Sequence, residues 1–393
     1  MNRNQTNILV GDFNMDTDFK LLVITNALDY HSIPILDEMS RQFKKFFVIY
    51  YNDISMKEKK AMKWGKFERP YAKKYDDNYK KQLIKDVNNA DCVIFDLMNN
   101  SIEIVKQRLE KDRLTFISTE RMFKKSILTV LRIKNLKTVY QTRIKYKNNQ
   151  NTYYLCRSGF LPYDLRRLGL KKDHFLKWGY FTNIKYKPKD TDDKIRILWA
   201  GRMIYWKHPE DCIFLANKLL ENQKKNFIIT VIGSGKEKNN FLKRVKKHGL
   251  SSYFEVLDFC SREEIVTYYE KSDYFLFTSS KQEGWGVVLN EALSTGCVCI
   301  ASSTCGATPF LIEHGKNGYI YNRKRKNDIY LQFKESLDNI ESVRRNAVET
   351  MNNTWSCYRA VYNLKKFIDN REFAIEGPCS RAQIIRNNQK YYG

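Results

Sequence analysis

At 393 residues, with 42% apolar and 14% aromatic side chains, the chain has room for two domains of ~100–200 residues and is too apolar for global disorder. Lys and Arg number 69 against 44 Asp and Glu, a formal charge of +25, so partners are expected among polyanions: phosphorylated substrates, anionic lipid or nucleic acid. Nine cysteines stand singly without a CxxC pair, which argues against a zinc site or a disulfide framework and predicts a reducing, cytoplasmic compartment.

Residues 1–18 are polar. Asp16-Thr17-Asp18 has the form of a DxD metal motif, but it precedes the first strand instead of following one, so no metal site is assigned to it. Residues 20–26 form an apolar strand, Pro34 opens a helix with Leu36, Met39 and Phe43 on one face, and residues 45–50 form a second strand. This β-α-β order predicts a parallel, doubly wound sheet. Residues 52–77 are charged and aromatic without a clear period and read as an insertion. The alternation resumes with a strand at 91–95, a helix near 101–111 and a strand at 114–118. Residues 119–124 then lie at a strand's C-terminal end, where open α/β sheets place ligands. A further strand covers 153–158, and the polar stretch 185–193 with Pro188 marks a domain boundary.

The second half repeats the rhythm, with strands at 195–200, 227–232, 254–258, 274–278 and 298–301. The expected division is 1–184, an N-terminal Rossmann-like domain, then 185–369, a C-terminal Rossmann-like domain whose last helix packs back on the first, and a basic tail at 370–393. In tandem, two such domains turn their C-terminal sheet edges toward one cleft. No apolar run approaches the ~18 residues that span a bilayer, and no signal-peptide pattern is present.

Three strand-to-helix loops carry the chemistry. Gly201-Arg202 to Lys207 follows the first strand of the second half and puts two cations at the cleft edge, able to neutralise a diphosphate; ordinary surface cations would look the same. Gly233-Ser234-Gly235 is a tight turn lacking the third glycine of a dinucleotide fingerprint. Glu283-Gly284-Trp285-Gly286-Val287 leads into a helix bearing Glu291. A glycine turn feeding a helix N-terminus favours anions, and flanking carboxylates suit hydroxyls, so phosphate plus polyol points to a nucleotide sugar. His31, in the loop after the first strand, is placed to accept a proton, although a structural histidine fits there as well.

Residues 195–321 resemble the C-terminal domain of family-4 glycosyltransferases with the GT-B fold, on Ala200-Gly201-Arg202 with Lys207, Ile232-Gly233-Ser234-Gly235, and Glu283-Gly284-Trp285-Gly286 with Glu291. The first half is similar more loosely to bacterial capsular or exopolysaccharide members, on 118–121 and 177–181. The resemblance implies α/β architecture with two Rossmann-like, doubly wound parallel-sheet domains, 1–184 binding the acceptor and 185–369 the nucleotide sugar. It makes Arg202 and Lys207 the diphosphate clamp, gives Glu291 the ribose, and gives Glu283 with the amides of Gly284 to Val287 the donor sugar and distal phosphate. It implies a retaining hexosyltransferase that uses no metal and no cofactor beyond the nucleotide-sugar co-substrate, with the leaving phosphate assisting deprotonation, so that His31 is not an obligatory base. The acceptor would be a glycan or lipid-linked glycan of surface polysaccharide, reached at an anionic membrane surface, with no specific nucleic acid. Two departures from the pattern, Val298 and the absence of an acid after Pro309, bear on sugar specificity. The rivals are a GT-B-like sugar-nucleotide epimerase and a basic nucleic-acid-binding protein.

Overall fold

Short apolar runs bounded by polar turns give strands buried on both faces, the mark of parallel sheets covered by helices. All five residues of Cys92–Asp96, all four of Tyr274–Phe277 and all five of Val298–Ser302 are buried. The computed structural model describes residues 18–53, 68–96, 102–124, 133–189, 193–325 and 327–386. The first half holds β1 (Lys20–Ala27), β2 (Lys45–Asn52), β3 (Ala72–Lys74), β4 (Cys92–Asp96), β5 (Thr115–Thr119), β6 (Thr152–Cys156) and β7 (Phe175–Lys177). They form one parallel sheet in the order β3-β2-β1-β4-β5-β6-β7.

The second half holds β8 (Ile195–Ala200), β9 (Phe227–Ile232), β10 (Phe254–Leu257), β11 (Tyr274–Phe277), β12 (Val298–Ser302) and β13 (Tyr319–Tyr321). Their sheet is also parallel, in the order β10-β9-β8-β11-β12-β13. Strand order reverses beside β1 and β4 in the first sheet and beside β8 and β11 in the second. Each reversal opens a crevice at the strands' C-terminal ends.

Two stretches differ from the expectation. Part of 52–77 belongs to the sheet: β3 pairs with β2, the Phe46 and Tyr71 rings lie 5.2 Å apart, and Arg69 makes a two-pronged bond to Asp37 at 2.7 and 3.1 Å. A three-residue strand is too short to show a period. Residues 54–67 of that stretch, and Asp16 and Thr17 of the DxD triplet, lie outside the described residues.

The segment after Asn370 is the second difference. Up to residue 386 it is more than a polar tail: it lines the outer edge of β7, with bonds from Cys379 N to Lys177 O (2.8 Å), Lys177 N to Ser380 O (2.8 Å) and Ala382 N to Phe175 O (3.0 Å). Cys379, Ala382 and Ile385 are buried there. Three buried residues at every third position of a mixed segment give no apolar run to read, yet they cover an edge strand that would otherwise be open.

The halves share an apolar seam. The helix Cys357–Asn370 crosses to the first sheet and sets Phe367 against Phe116 and Tyr153, with centroids 6.0 and 4.8 Å away. Trp355 stacks on Phe181 at 6.0 Å and on Trp285 at 5.7 Å. Truncation after Asn370 removes the three backbone bonds on β7, at about 1 kcal/mol each, and should lower the melting temperature by roughly 4–10 °C. A scan showing an unchanged melting temperature contradicts this role for the segment.

Candidate active site

The site grows from two glycine turns that touch. Gly201 ends β8 with φ +156° and Gly233 ends β9 with φ +149°. A Cβ on Gly233 would sit 1.8 Å from the Gly201 carbonyl oxygen, so any side chain there forces the turns apart. Gly201 N donates to Ile232 O at 3.0 Å, and Met203 N to Ser234 O at 2.9 Å. Ser234 is thus part of the turn's scaffold.

This close stacking fixes the loop that carries the cations. The turn Tyr205–Lys207 is tied to the end of β11 by Thr278, whose hydroxyl donates to Lys207 O at 2.5 Å and accepts from the Trp199 indole at 2.8 Å. Ser280 N donates to Trp206 O at 2.8 Å. So held, Lys207 extends its ammonium to the Glu283 carboxylate, and both side chains are largely withdrawn from water, 13% and 16% exposed. Arg202, in contrast, is exposed on the rim. The structure therefore joins Lys207 and Glu283 directly and places Arg202 outside their contact.

Gly286, at φ +93°, turns the chain beneath the Phe277 ring and into the helix Val288–Ser294, with Val287 at its cap. Glu291 lies in the first turn of that helix, 4% exposed. It accepts from the Arg262 guanidinium and, at 3.2 Å, from the Tyr269 hydroxyl. Burial and the neighbouring Glu291 charge push the Tyr269 phenol up, so it stays a neutral donor. Arg262 begins a helix, Arg262–Lys271, fixed by a Ser261/Glu264 capping box, and its guanidinium lies 3.8 Å over the Tyr30 ring centroid. His31 stands next to Tyr30, edge-on to it at 6.2 Å and to Tyr180 at 6.1 Å. His31 therefore belongs to the side of the cleft that faces Arg262 and Glu291.

Only the amide of Trp285 is expected to meet the donor, and its side chain has a separate place in the structure. The Trp285 side chain is 1% exposed and points into the seam, donating to Asn290 Oδ1 at 2.8 Å while its ring packs where a Cβ on Gly179 would come within 2.2 Å. Asn290 in turn donates to Tyr180 O at 2.8 Å. Trp285 anchors the glycine loop and offers no ring face to a ligand. Its large apolar surface was better satisfied by Trp355, 70 positions away, than by the cleft.

Sequence reasoning passed over Arg262, Tyr30 and a buried pair in the first half. Arg157 meets Asp96 at 2.8 Å, with side chains 6% and 9% exposed, and Thr25 donates to the same carboxylate at 3.3 Å. Burial is the largest influence and works against the Arg157 charge, but Asp96 together with Tyr180, Glu120 and Asp29 outweighs it and keeps the guanidinium protonated. Arg157 lies 4.7 Å over the Tyr180 ring, whose hydroxyl burial pushes up. Asp96 ends β4 beside the reversal of strand order, which was the available signal. Among the described residues no group of three or more His, Cys, Asp or Glu is placed to hold a metal ion.

The fold is GT-B: two parallel, doubly wound sheets facing across a cleft. It is shared with Anabaena Alr3699/HepE in complex with UDP, at a TM-score of 0.64 and 13% identity over 89% of this chain and 99% of that one. It is shared too with WaaG, described as a glycosyltransferase involved in lipopolysaccharide biosynthesis, at a TM-score of 0.62 and 13% identity over 89% of this chain and 100% of that one. Residues 181–350 match the family model described as glycosyl transferases group 1. Among curated relatives, the amylovoran biosynthesis glycosyltransferase AmsK of Erwinia amylovora is 30% identical over 162 residues, 40% of this chain and 37% of that protein. The GtfA subunit of a UDP-N-acetylglucosamine–peptide N-acetylglucosaminyltransferase from Streptococcus gordonii is 26% identical over 133 residues, 34% of this chain and 25% of that protein. The matches thus span between a quarter and two fifths of these relatives' lengths. Among the described residues no helix is long and apolar enough to cross a membrane.

Trp285→Ala should destabilise the protein by about 3–5 kcal/mol in denaturant unfolding, because it empties the seam. Arg202→Ala, on the rim, should stay within about 0.5 kcal/mol of wild type. Equal effects would contradict the placement of the two residues.

Proposed function

We propose that the protein is a glycosyltransferase that moves a hexose from a nucleotide-sugar donor to a glycan or lipid-linked acceptor, with retention and without a metal ion. The observation that carries this reading is the Lys207–Glu283 pair, with the Lys207 stem beside Gly201 of the stacked turns, within the segment that matches the group 1 model. A diphosphate entering the cleft presents a stronger multivalent anion to Lys207 than one carboxylate does. Glu283, released from the ammonium, is then free to accept hydrogen bonds from sugar hydroxyls. Arg202, exposed beside it, supplies a second cation from the rim. The amides of Gly284 to Val287 complete the phosphate's surroundings, and the charge that grows on the departing diphosphate is met by fixed donors.

Glu291 is the candidate for the ribose. Its two oxygens hold Arg262 and Tyr269 in this structure, which sets the carboxylate in one orientation. His31, set against Tyr30 and Tyr180, lies on the opposite wall, where an acceptor would enter. Support for a uridine nucleotide comes from HepE, whose structures hold UDP and UDP with glucose. A role in surface polysaccharide is supported by AmsK and WaaG by their descriptions, and a charge of +25 favours an anionic membrane as the place of work.

The test is a thermal-shift screen with UDP-, GDP-, ADP- and TDP-sugars, followed by product analysis. One nucleotide should stabilise the protein, by about 2.7 kcal/mol at 100 times its Kd. Lys207→Ala should weaken that binding at least about tenfold, the worth of a charged hydrogen bond. The glycoside formed should keep the donor's anomeric configuration, and EDTA should leave the rate unchanged. A free epimerised sugar as sole product points to the epimerase, and salt-sensitive nucleic-acid binding indifferent to Glu283→Ala points to the non-enzymatic rival. If no nucleotide stabilises the protein, the donor-site reading fails.

A further inference from the structure

A second Lys–Glu pair meets the glycine loop from the other half of the molecule, and the donor-site reading gives it no task. Glu120 directly follows the last residue of β5, at the C-terminal edge of the first sheet. One of its carboxylate oxygens pairs with Lys124, and the other accepts from the Tyr180 hydroxyl at 3.3 Å. The same carboxylate is pressed against the opposite half. A Cβ on Gly284 would come within 1.9 Å of Glu120 Oε2 and 2.5 Å of Lys124 Nζ. Gly284 is the residue after Glu283, so two carboxylates, each with its own lysine, converge on one point of the cleft from opposite sheets.

The contact marks how closely the Glu120 carboxylate approaches the glycine loop. Gly284 is absent from the positive-φ glycines, whereas Gly286 two residues on is among them. A side chain at 284 would have to displace the ends of the Glu120 and Lys124 side chains, both of which can swing away. The pair is also less buried than its counterpart: Glu120 and Lys124 are 22% and 34% exposed, Glu283 and Lys207 16% and 13%. An ionised carboxylate offers about four lone-pair sites, and Lys124 and Tyr180 occupy two of them. The remaining capacity faces partly open space beside Gly284, where it can take only a donor.

We infer that Glu120 binds a sugar hydroxyl in the cleft beside Gly284, with Lys124 as its counter-cation. The inference rests on the donor-site reading above and adds the residue by which the first sheet touches substrate. The hydroxyl belongs either to the transferred sugar or to an accepting sugar. The recognition is the same in both cases: an O–H donating to a carboxylate that Tyr180 and Lys124 hold in place. No bond to carbon is made or broken by Glu120.

The experiment compares wild type, Glu120→Ala, Glu120→Gln and Gly284→Ala by calorimetry. The probes are UDP, GDP, ADP and TDP, their glucose conjugates, and methyl glucoside added to the diphosphate complex. Glu120→Ala should leave diphosphate affinity within about twofold. It should weaken one sugar-dependent arm about tenfold: the glucose conjugate if the hydroxyl is the donor's, methyl glucoside if it is the acceptor's. Glu120→Gln, isosteric and still able to accept, should lose less than Glu120→Ala in that arm. Gly284→Ala, which displaces the carboxylate without removing it, should reproduce the loss and keeps the test open if an alanine at 120 fails to fold. If the wild type binds none of the four diphosphates, the donor-site reading falls and this inference falls with it. If a diphosphate binds and both sugar arms stay within twofold in Glu120→Ala, this inference alone is overturned.

Discussion

The ion pair between Lys207 and Glu283 is the interaction on which the account turns. Two charges largely withdrawn from water cost several kcal/mol each in lost hydration, and their attraction offsets this only while the pair is intact. The arrangement is costly as architecture, but it suits a site that awaits a larger anion. On the proposed reading the desolvation has already been met when ligand arrives, and a diphosphate would exchange one partner of the ammonium for another. The stacked glycine turns lie at the base of the loop that carries that lysine. With a Cβ at Gly233 the Gly201 carbonyl would have to move, and with it the loop that ends in Lys207.

The rest of the molecule keeps this site rigid by joining its two halves behind the cleft. Trp285 shows how. It sits inside the loop that presents Glu283, yet its ring faces away, onto Trp355 and the backbone at Gly179. The loop is thereby fixed to the segment that connects the sheets, and the helix Cys357–Asn370 carries the same seam onto Phe116 and Tyr153. Asn290, one residue before Glu291, bonds Tyr180 O, so candidate-site residues and seam residues alternate along a few positions of one stretch.

What the sequence disclosed follows the range over which its signals act. The β-α rhythm was legible because parallel strands such as Cys92–Asp96 are continuous apolar runs, and turns such as Gly201 and Gly233 need glycine for local reasons. Contacts whose meaning lies far along the chain were not. β3 is three residues long, and the segment over β7 buries Cys379, Ala382 and Ile385 one at a time. Arg262 shows no special pattern, and only folding brings it between Tyr30 and Glu291. The tryptophan of the glycine loop is the instructive case, since the motif spoke only for its amide while its ring's partner for burial, Trp355, lay 70 residues on.

The central claim divides labour between the paired residues, phosphate to Lys207 and sugar to Glu283. It is tested most directly by titrating wild type and Glu283→Gln with the nucleoside diphosphate that stabilises the protein and with that nucleotide's sugar conjugate. Removing the carboxylate's charge takes away a competitor for the ammonium, so diphosphate affinity should hold or rise while the conjugate loses any advantage over the bare diphosphate. An equal fall in both affinities would contradict the division.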